Sequence, residues 1–437
     1  MKQSKKIYIL LGVLAVACIA TFGVIQLEEH KEQIKNSDEI ILEVPSDSVQ
    51  SLSWKNKSGT FAFHKDEKWL YDEDEAFPVD EEKINELLKQ FQAFGVSFVI
   101  EGVEDYGQYG LDDPVCTINL TTEDQSYEIL LGKYSSMDSE RYVSIGDGNV
   151  YLVKNDPLDY FDAILSDMID HDEIPAFAQV TEIQFAGAED YSIVYEEDSA
   201  NTYCADDVYF AQQDGKKLPL DTSRVDHYLS TISNLNLTDY VTYNATEEDL
   251  RTYGLDVPEL TATVDYTSEN EDGGEISDTF VLNIGRDPEE KKAAEKAAEE
   301  ESDSSKEEGI MAYARVGESQ IVYRISSDDY KELMVASYDS LRHLEVLSAD
   351  FADISQIDIS LEGSDYTITS EKKRDERTYF YGEKELEIAD FQNALEALSA
   401  DSFTDEQPTQ KEEISLTVYL DNENYPKVKI KLYRYDG

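Results

Sequence analysis

Histidines, cysteines and an excess of carboxylates are the residues from which this chain could build chemistry. The five histidines, His30, His64, His171, His227 and His343, are scattered, and none forms a metal-binding pair on a helix. Cys18 lies in an apolar N-terminal run, while Cys116 and Cys204 fall in non-equivalent places of two repeats, so no disulfide framework is supported. No C-x-x-C, G-x-S-x-G, phosphate-cradling glycine loop or H-E-x-x-H occurs. His171-Asp172-Glu173 is the tight His/carboxylate cluster that a base–acid pair would need, but its place between two repeats reads as solvated linker. The acidic clusters Asp72-Glu73-Asp74-Glu75 and 269–275 would hold Ca²⁺ weakly, since neither has the alternating ligands, central Gly and terminal Glu of an EF-hand loop. With 95 acidic residues, such clusters arise by composition. No catalytic, cofactor-binding or metal residue is therefore assigned, and no cofactor is expected.

A net charge of −58 repels nucleic acid and anionic lipid headgroups and favours cations or basic partners. Its simplest reading is a solvated, self-repelling surface. The 41% of hydrophobic residues, with 29 tyrosines, is ample for cores.

The elements are organised around two equivalent corners, Tyr109-Gly110-Leu111-Asp112-Asp113-Pro114 and Tyr253-Gly254-Leu255-Asp256-Val257-Pro258. Each reads as a short helical turn, over 104–109 and 247–253, closed by a left-handed Gly, with the Leu folding back in a Schellman-type stop. The Asp then bonds nearby backbone, and the Pro forces an extended chain. A half-buried strand follows, with Cys116, Ile118 and Leu120 in one copy and Leu260, Ala262, Val264 and Tyr266 in the other. The corner reads as scaffolding.

Before the first corner stand a hairpin turning at Asn56-Lys57-Ser58-Gly59, a third strand Trp69-Leu70-Tyr71, and a helix capped by Asp80 with half a capping box. Ile84, Leu87, Leu88, Phe91 and Phe94 form that helix's apolar stripe. Strands near 97–100, 115–121, 126–131, 141–145 and 149–153 are expected, then a helix from Asp156-Pro157 carrying Leu158, Phe161, Ile164 and Leu165. The second copy repeats this order, with strands at 180–185, 191–195 and 208–210, a helix bearing Val225, Tyr228, Leu229 and Ile232, strands at 281–285 and 321–323, and a closing segment 330–341. An Ala/Glu/Lys-rich insertion at 287–309 interrupts it and reads as a solvated helix without an apolar stripe; a partner-binding antenna is the alternative. A third, divergent copy starts near Phe351, keeps hairpin, third strand and helix, and has lost the Tyr-Gly-Leu signature.

At the N-terminus, residues 7–25 are uncharged and apolar behind Lys2, Lys5 and Lys6. That length approaches a membrane-crossing helix, and the charges orient it with the N-terminus inside. A cleaved signal or lipoprotein site at Leu14-Ala15-Val16-Ala17-Cys18 is the rival to an uncleaved anchor. The expected fold is α+β: tandem repeats of largely antiparallel β-sheet with packed helices behind one N-terminal transmembrane helix. The divisions are a cytoplasmic tip 1–6, an anchor 7–25, a polar linker 26–47, repeats at 48–173 and 178–346, and a partial repeat 350–437.

The progression Trp69-Leu70-Tyr71, Phe77-Pro78-Val79-Asp80, Tyr109 to Pro114, Leu131-Gly132 and Val150-Tyr151-Leu152-Val153 behind an anchor resembles the bacterial family known as domain of unknown function 4340. Members of that family are often encoded beside gliding-motility-type ABC transporter components, which implies an envelope role, and no catalytic residues are established for it. The expectation is a non-enzymatic, single-pass membrane protein whose extracytoplasmic bulk binds a protein partner in the cell envelope and no nucleic acid. A cation-responsive surface module and an extracytoplasmic hydrolase using paired carboxylates are the alternatives.

Overall fold

A computed structural model describes residues 33–213, 215–269, 273–299, 310–374 and 376–434. The apolar run 7–25 and Cys18 lie outside the described residues; among those described, no helix is long and apolar enough to cross a membrane. Two compact units divide the chain between His171 and Asp172. They contain three largely antiparallel sheets with helices, an α+β fold.

In the first unit the hairpin Val49–Asn56 and Gly59–Lys65 forms where expected. Asn56 sets its turn, because its side-chain oxygen accepts from the N–H groups of Ser58 (2.8 Å) and Gly59 (3.2 Å). From the edge inward the sheet runs Trp69–Tyr71, the hairpin, Cys116–Thr122, Ser126–Ser135, Glu140–Ser144, Val150–Val153, Phe94–Glu101 and Gln33–Asn36. Asp80 caps the helix Glu81–Lys89, accepting from Glu82 N (2.8 Å) and Lys83 N (3.0 Å). The helix buries Ile84, Leu87 and Leu88 against an aromatic core in which Trp54 stacks on Phe63 at 5.5 Å.

The second unit repeats this strand order around its first sheet: Lys216–Pro219, Tyr209–Gln213, Tyr191–Tyr195, Gln179–Gly187, Leu260–Glu269, Glu275–Gly285, Ala312–Val316, Val322–Ile325 and Tyr240–Thr242. Its helix Thr222–Ser233 is capped by Asp221 as the first is by Asp80. The third sheet, also in this unit, keeps the order as far as Glu412–Leu420 and Lys427–Tyr433, the counterparts of the strands that follow each corner.

Both corners are Schellman stops. Gly110 and Gly254 sit at φ 73° and 67°. Leu111 N donates to Tyr106 O (3.1 Å) and Leu255 N to Leu250 O (2.7 Å), bonds that span six residues. Pairing resumes directly after each Pro, with Val115 N to Leu131 O and Glu259 N to Ile284 O, both 2.8 Å. The glycines of Leu131-Gly132 and Ile284-Gly285 belong to the same device. A Cβ on Gly132 would lie 2.3 Å from Tyr109 O, and one on Gly285 2.4 Å from Gly254 O. The corner backbone therefore rests directly on the strand, which only Gly permits.

Several expectations are corrected. Phe94 starts the strand Phe94–Glu101 and is not on the helix, which ends at Lys89. The helix expected from Asp156 is two single turns, Leu158–Phe161 and Leu165–Asp167; Phe161 is buried and Ile164 is exposed, because the chain turns away from the core after one turn. The stretch read as polar linker contributes the short strands Gln33–Asn36 and Ile40–Leu42, both paired to Phe94–Glu101. The insertion does form a helix, Pro288–Glu299, but it is tied down, since Lys291 forms an ion pair with Glu259.

Candidate functional site

Within the second unit, a cleft of about 400 Å³ opens between the nine-stranded and six-stranded sheets. Three segments build it. The first is the loop 200–207, which leaves the strand Tyr191–Tyr195. The second is the segment from Arg342 onward, where the helix Tyr338–Leu341 gives way to extended chain. This segment is held by Val346 N to Leu398 O (2.9 Å) and Ala400 N to Leu344 O (2.7 Å). The third is the hairpin joining Glu412–Leu420 to Lys427–Tyr433. Its turn is set by Asn422, whose oxygen accepts from Asn424 N (3.0 Å) and Tyr425 N (2.9 Å), while its amide donates to Thr202 O (2.9 Å). That turn brings Tyr425 edge-on to Tyr203, with ring centroids 4.7 Å apart.

At one side of the cleft is a buried polar cluster. Asp207 is 1% exposed and accepts four donors: Tyr203 N (2.6 Å), Cys204 N (3.1 Å), Cys204 Sγ (3.2 Å) and His343 Nε2 (2.8 Å). Burial alone would raise the Asp207 pKa, but the bonds from His343 and Cys204 outweigh it and hold the carboxyl below its usual range. Burial likewise pulls His343 down, and the hydrogen bond and charge of Asp207, with Asp221 and Glu345 beyond, reverse this and raise it. The Cys204 thiol is pushed up to about 12 by burial and by Asp207. A nucleophilic cysteine is activated by a neighbouring base or positive charge; here a carboxylate stands between thiol and imidazole and favours the protonated thiol. The arrangement is an ionic latch joining loop 200–207 to the segment after Arg342.

Donor atoms of Cys204, Asp207 and His343 lie within 4.8 Å of one another, as do those of Asp221, His343 and Glu345. In the first of these groups a cation could be held only by displacing the protons that the thiol and Nε2 give to Asp207, whose other oxygen already serves two backbone N–H groups.

The sequence singled out other groups, which the structure separates. His171 and Asp172 are half-buried, and Asp172 N donates to Tyr323 Oη (2.7 Å), so this segment is fastened down. The acidic run at 72–75 is divided: Asp72 bonds His64 (2.7 Å), Glu73 accepts from Tyr71 Oη (3.0 Å), and Asp74 accepts from Ala76 N (3.0 Å). Glu269 and Glu275 face each other across a strand pair. The cluster that does form was missed, because Asp207 and His343 are 136 residues apart. The only local signal was the turn-forming spacing of Cys204 and Asp207.

Tandem antiparallel sheets, two of them built with an Asp-capped helix and a glycine-locked corner, define an α+β repeat protein. The chain belongs to the family described as a domain of unknown function (DUF4340), which matches residues 69–258 and 214–417. The first match starts at the third strand of one copy and ends at the corner of the next, and the second lies one copy further on. No curated protein and no solved structure matches the chain.

Proposed function

We propose that this protein is a non-enzymatic interaction module, anchored in the cell membrane by residues 7–25 with its sheets on the outer side. There it serves as an accessory to an envelope system of the ABC-transporter type. The observation that carries this reading is how the polar side chains are used: the half-buried ionic groups fasten elements to one another. Besides the latch, Glu259 accepts from Arg286 (3.0 and 3.1 Å) and Tyr330 (2.7 Å), which ties the strand after the corner to the closing helix Ser327–Leu333. In the first unit Arg141 donates to Asp156 (2.6 Å) and Gly132 O (2.7 Å).

Repeated sheets held rigid in this way suit recognition of a partner surface. The apolar leading run and the acidic surface support a position outside the membrane. Fusing alkaline phosphatase or a fluorescent protein to the C-terminus tests the placement: an active phosphatase and a dark fluorescent protein are expected, and the reverse overturns it.

A further inference from the structure

The chain carries 95 acidic and 37 basic residues, yet the cleft beside the latch is lined by Arg342, Lys427 and Lys429. Cations concentrated in a concave site of so acidic a protein are unusual enough to need a physical reason. Lys427 and Lys429 lie on the strand Lys427–Tyr433, which alternates Lys427, Lys429 and Lys431 with Val428, Ile430 and Leu432. Lys431 pairs with Glu412, whereas Lys427 and Lys429 form no salt bridge among the described residues. Arg342 is held in place by Asp339 (3.1 Å) and by the rings of Tyr338 and Phe403, 5.2 and 3.9 Å away. Half-buried Tyr203, Tyr338 and Tyr425 supply ring faces and edges, and Leu347, Val428 and Leu420 an apolar floor. One carboxylate, Glu345, stands at the rim with its oxygen 3.8 Å from His343 Nδ1.

From this geometry we infer that the cleft binds a small anionic ring compound. Its carboxylate or phosphate would be taken by Arg342, Lys427 and Lys429, and its ring would lie against the tyrosines. The volume is that of an ordinary small-ligand site. Lys427 and Lys429 are exposed at the mouth of the cleft and form no ion pair among the described residues, so they are open to an anion, and the concave wall beside them focuses their field more than flat surface would. The field of the rest of the chain repels anions, so binding depends on this local reversal of sign. Sugars bearing a carboxylate or a phosphate combine both features. The inference does not require the membrane placement proposed above.

The test is calorimetric titration of the full 437-residue chain in detergent, at constant ionic strength, with glucuronate, glucose 6-phosphate, glucose and inorganic phosphate. Glucuronate or glucose 6-phosphate is expected to bind at least about ten-fold more tightly than glucose and than phosphate, the ratio that one charge-assisted hydrogen bond supplies. Lys427→Gln/Lys429→Gln should weaken that binding about ten-fold or more. Lys431→Gln, on the same strand but outside the cleft, should leave it unchanged, and circular dichroism should show all variants folded. Glucose binding as tightly as the charged sugars overturns the anion role. Phosphate binding as tightly as glucose 6-phosphate overturns the ring role. Equal loss in Lys431→Gln, or no heat from either charged sugar at about ten millimolar, the weak end of specific small-ligand affinity, overturns the site.

Discussion

Asp207 takes four donors in a nearly dry environment, and its energetics follow from both partners. His343 stands above its ordinary value in the folded chain, so its contribution to stability is complete below the unfolded histidine pKa of about 6.5 and fades as pH rises through the higher folded value. Asp207 stands below its ordinary value, so its contribution is present above the unfolded aspartate pKa of about 3.9 and is lost as pH falls. The latch is therefore strongest between the two. Thermal melts should show the melting temperature of the second unit falling as pH rises above the unfolded histidine value of about 6.5, with His343→Gln flattening that slope. Parallel profiles for the two proteins would show the latch contributes nothing. A second residue-scale prediction concerns Gly132 and Gly285, where an added Cβ meets backbone carbonyl oxygen that has no room to retreat. Gly132→Ala and Gly285→Ala should each destabilise by about 2 kcal/mol in urea unfolding, the usual cost of forced overpacking. A loss below about 0.5 kcal/mol would mean that the corner slides freely.

Among the elements, those whose causes are local were readable from the sequence. The Asn56 turn, the Asp80 cap and the Gly-closed corners each need only a few neighbouring residues, and each stands where its pattern placed it. Phe94 was misplaced because an apolar residue three after Phe91 fits a helix and a new strand equally well, and the helix had already ended at Lys89. The strands Gln33–Asn36 and Ile40–Leu42 were missed because pairing to Phe94–Glu101 holds them, which no local pattern encodes. The cleft was illegible for the same reason: its three segments lie far apart in sequence. For the helix Pro288–Glu299, composition showed the helix but not the ion pair of Lys291 with Glu259. Glu259 is held down at about 2: burial raises it, and Arg286, Lys291 and Tyr330 more than reverse that. Lys291→Ala should therefore cost little, within about 1 kcal/mol, because it removes only the more exposed partner. Glu259→Ala, which removes the acceptor shared by Arg286, Lys291 and Tyr330, should cost about 3 kcal/mol. Equal losses in chemical denaturation would contradict this ranking.

At the scale of the whole molecule, the division between His171 and Asp172 leaves each side with its own core. A fragment spanning 33–171 should unfold cooperatively by itself in urea, with the near-ultraviolet dichroism of its Trp54 cluster intact. A non-cooperative fragment would show that its core needs the rest of the chain. The proposed role as a scaffold for recognition rests on the repetition of one sheet plan, fastened by the ionic groups of its own strands and helices. The most direct measurement is capture of the full-length protein, expressed at its natural level, after crosslinking in intact cells, with its partners quantified by mass spectrometry. Near-stoichiometric recovery of the membrane-spanning subunit of a transporter is the predicted result. Recovery of the chain alone, with no envelope protein enriched over a mock capture, would contradict the account.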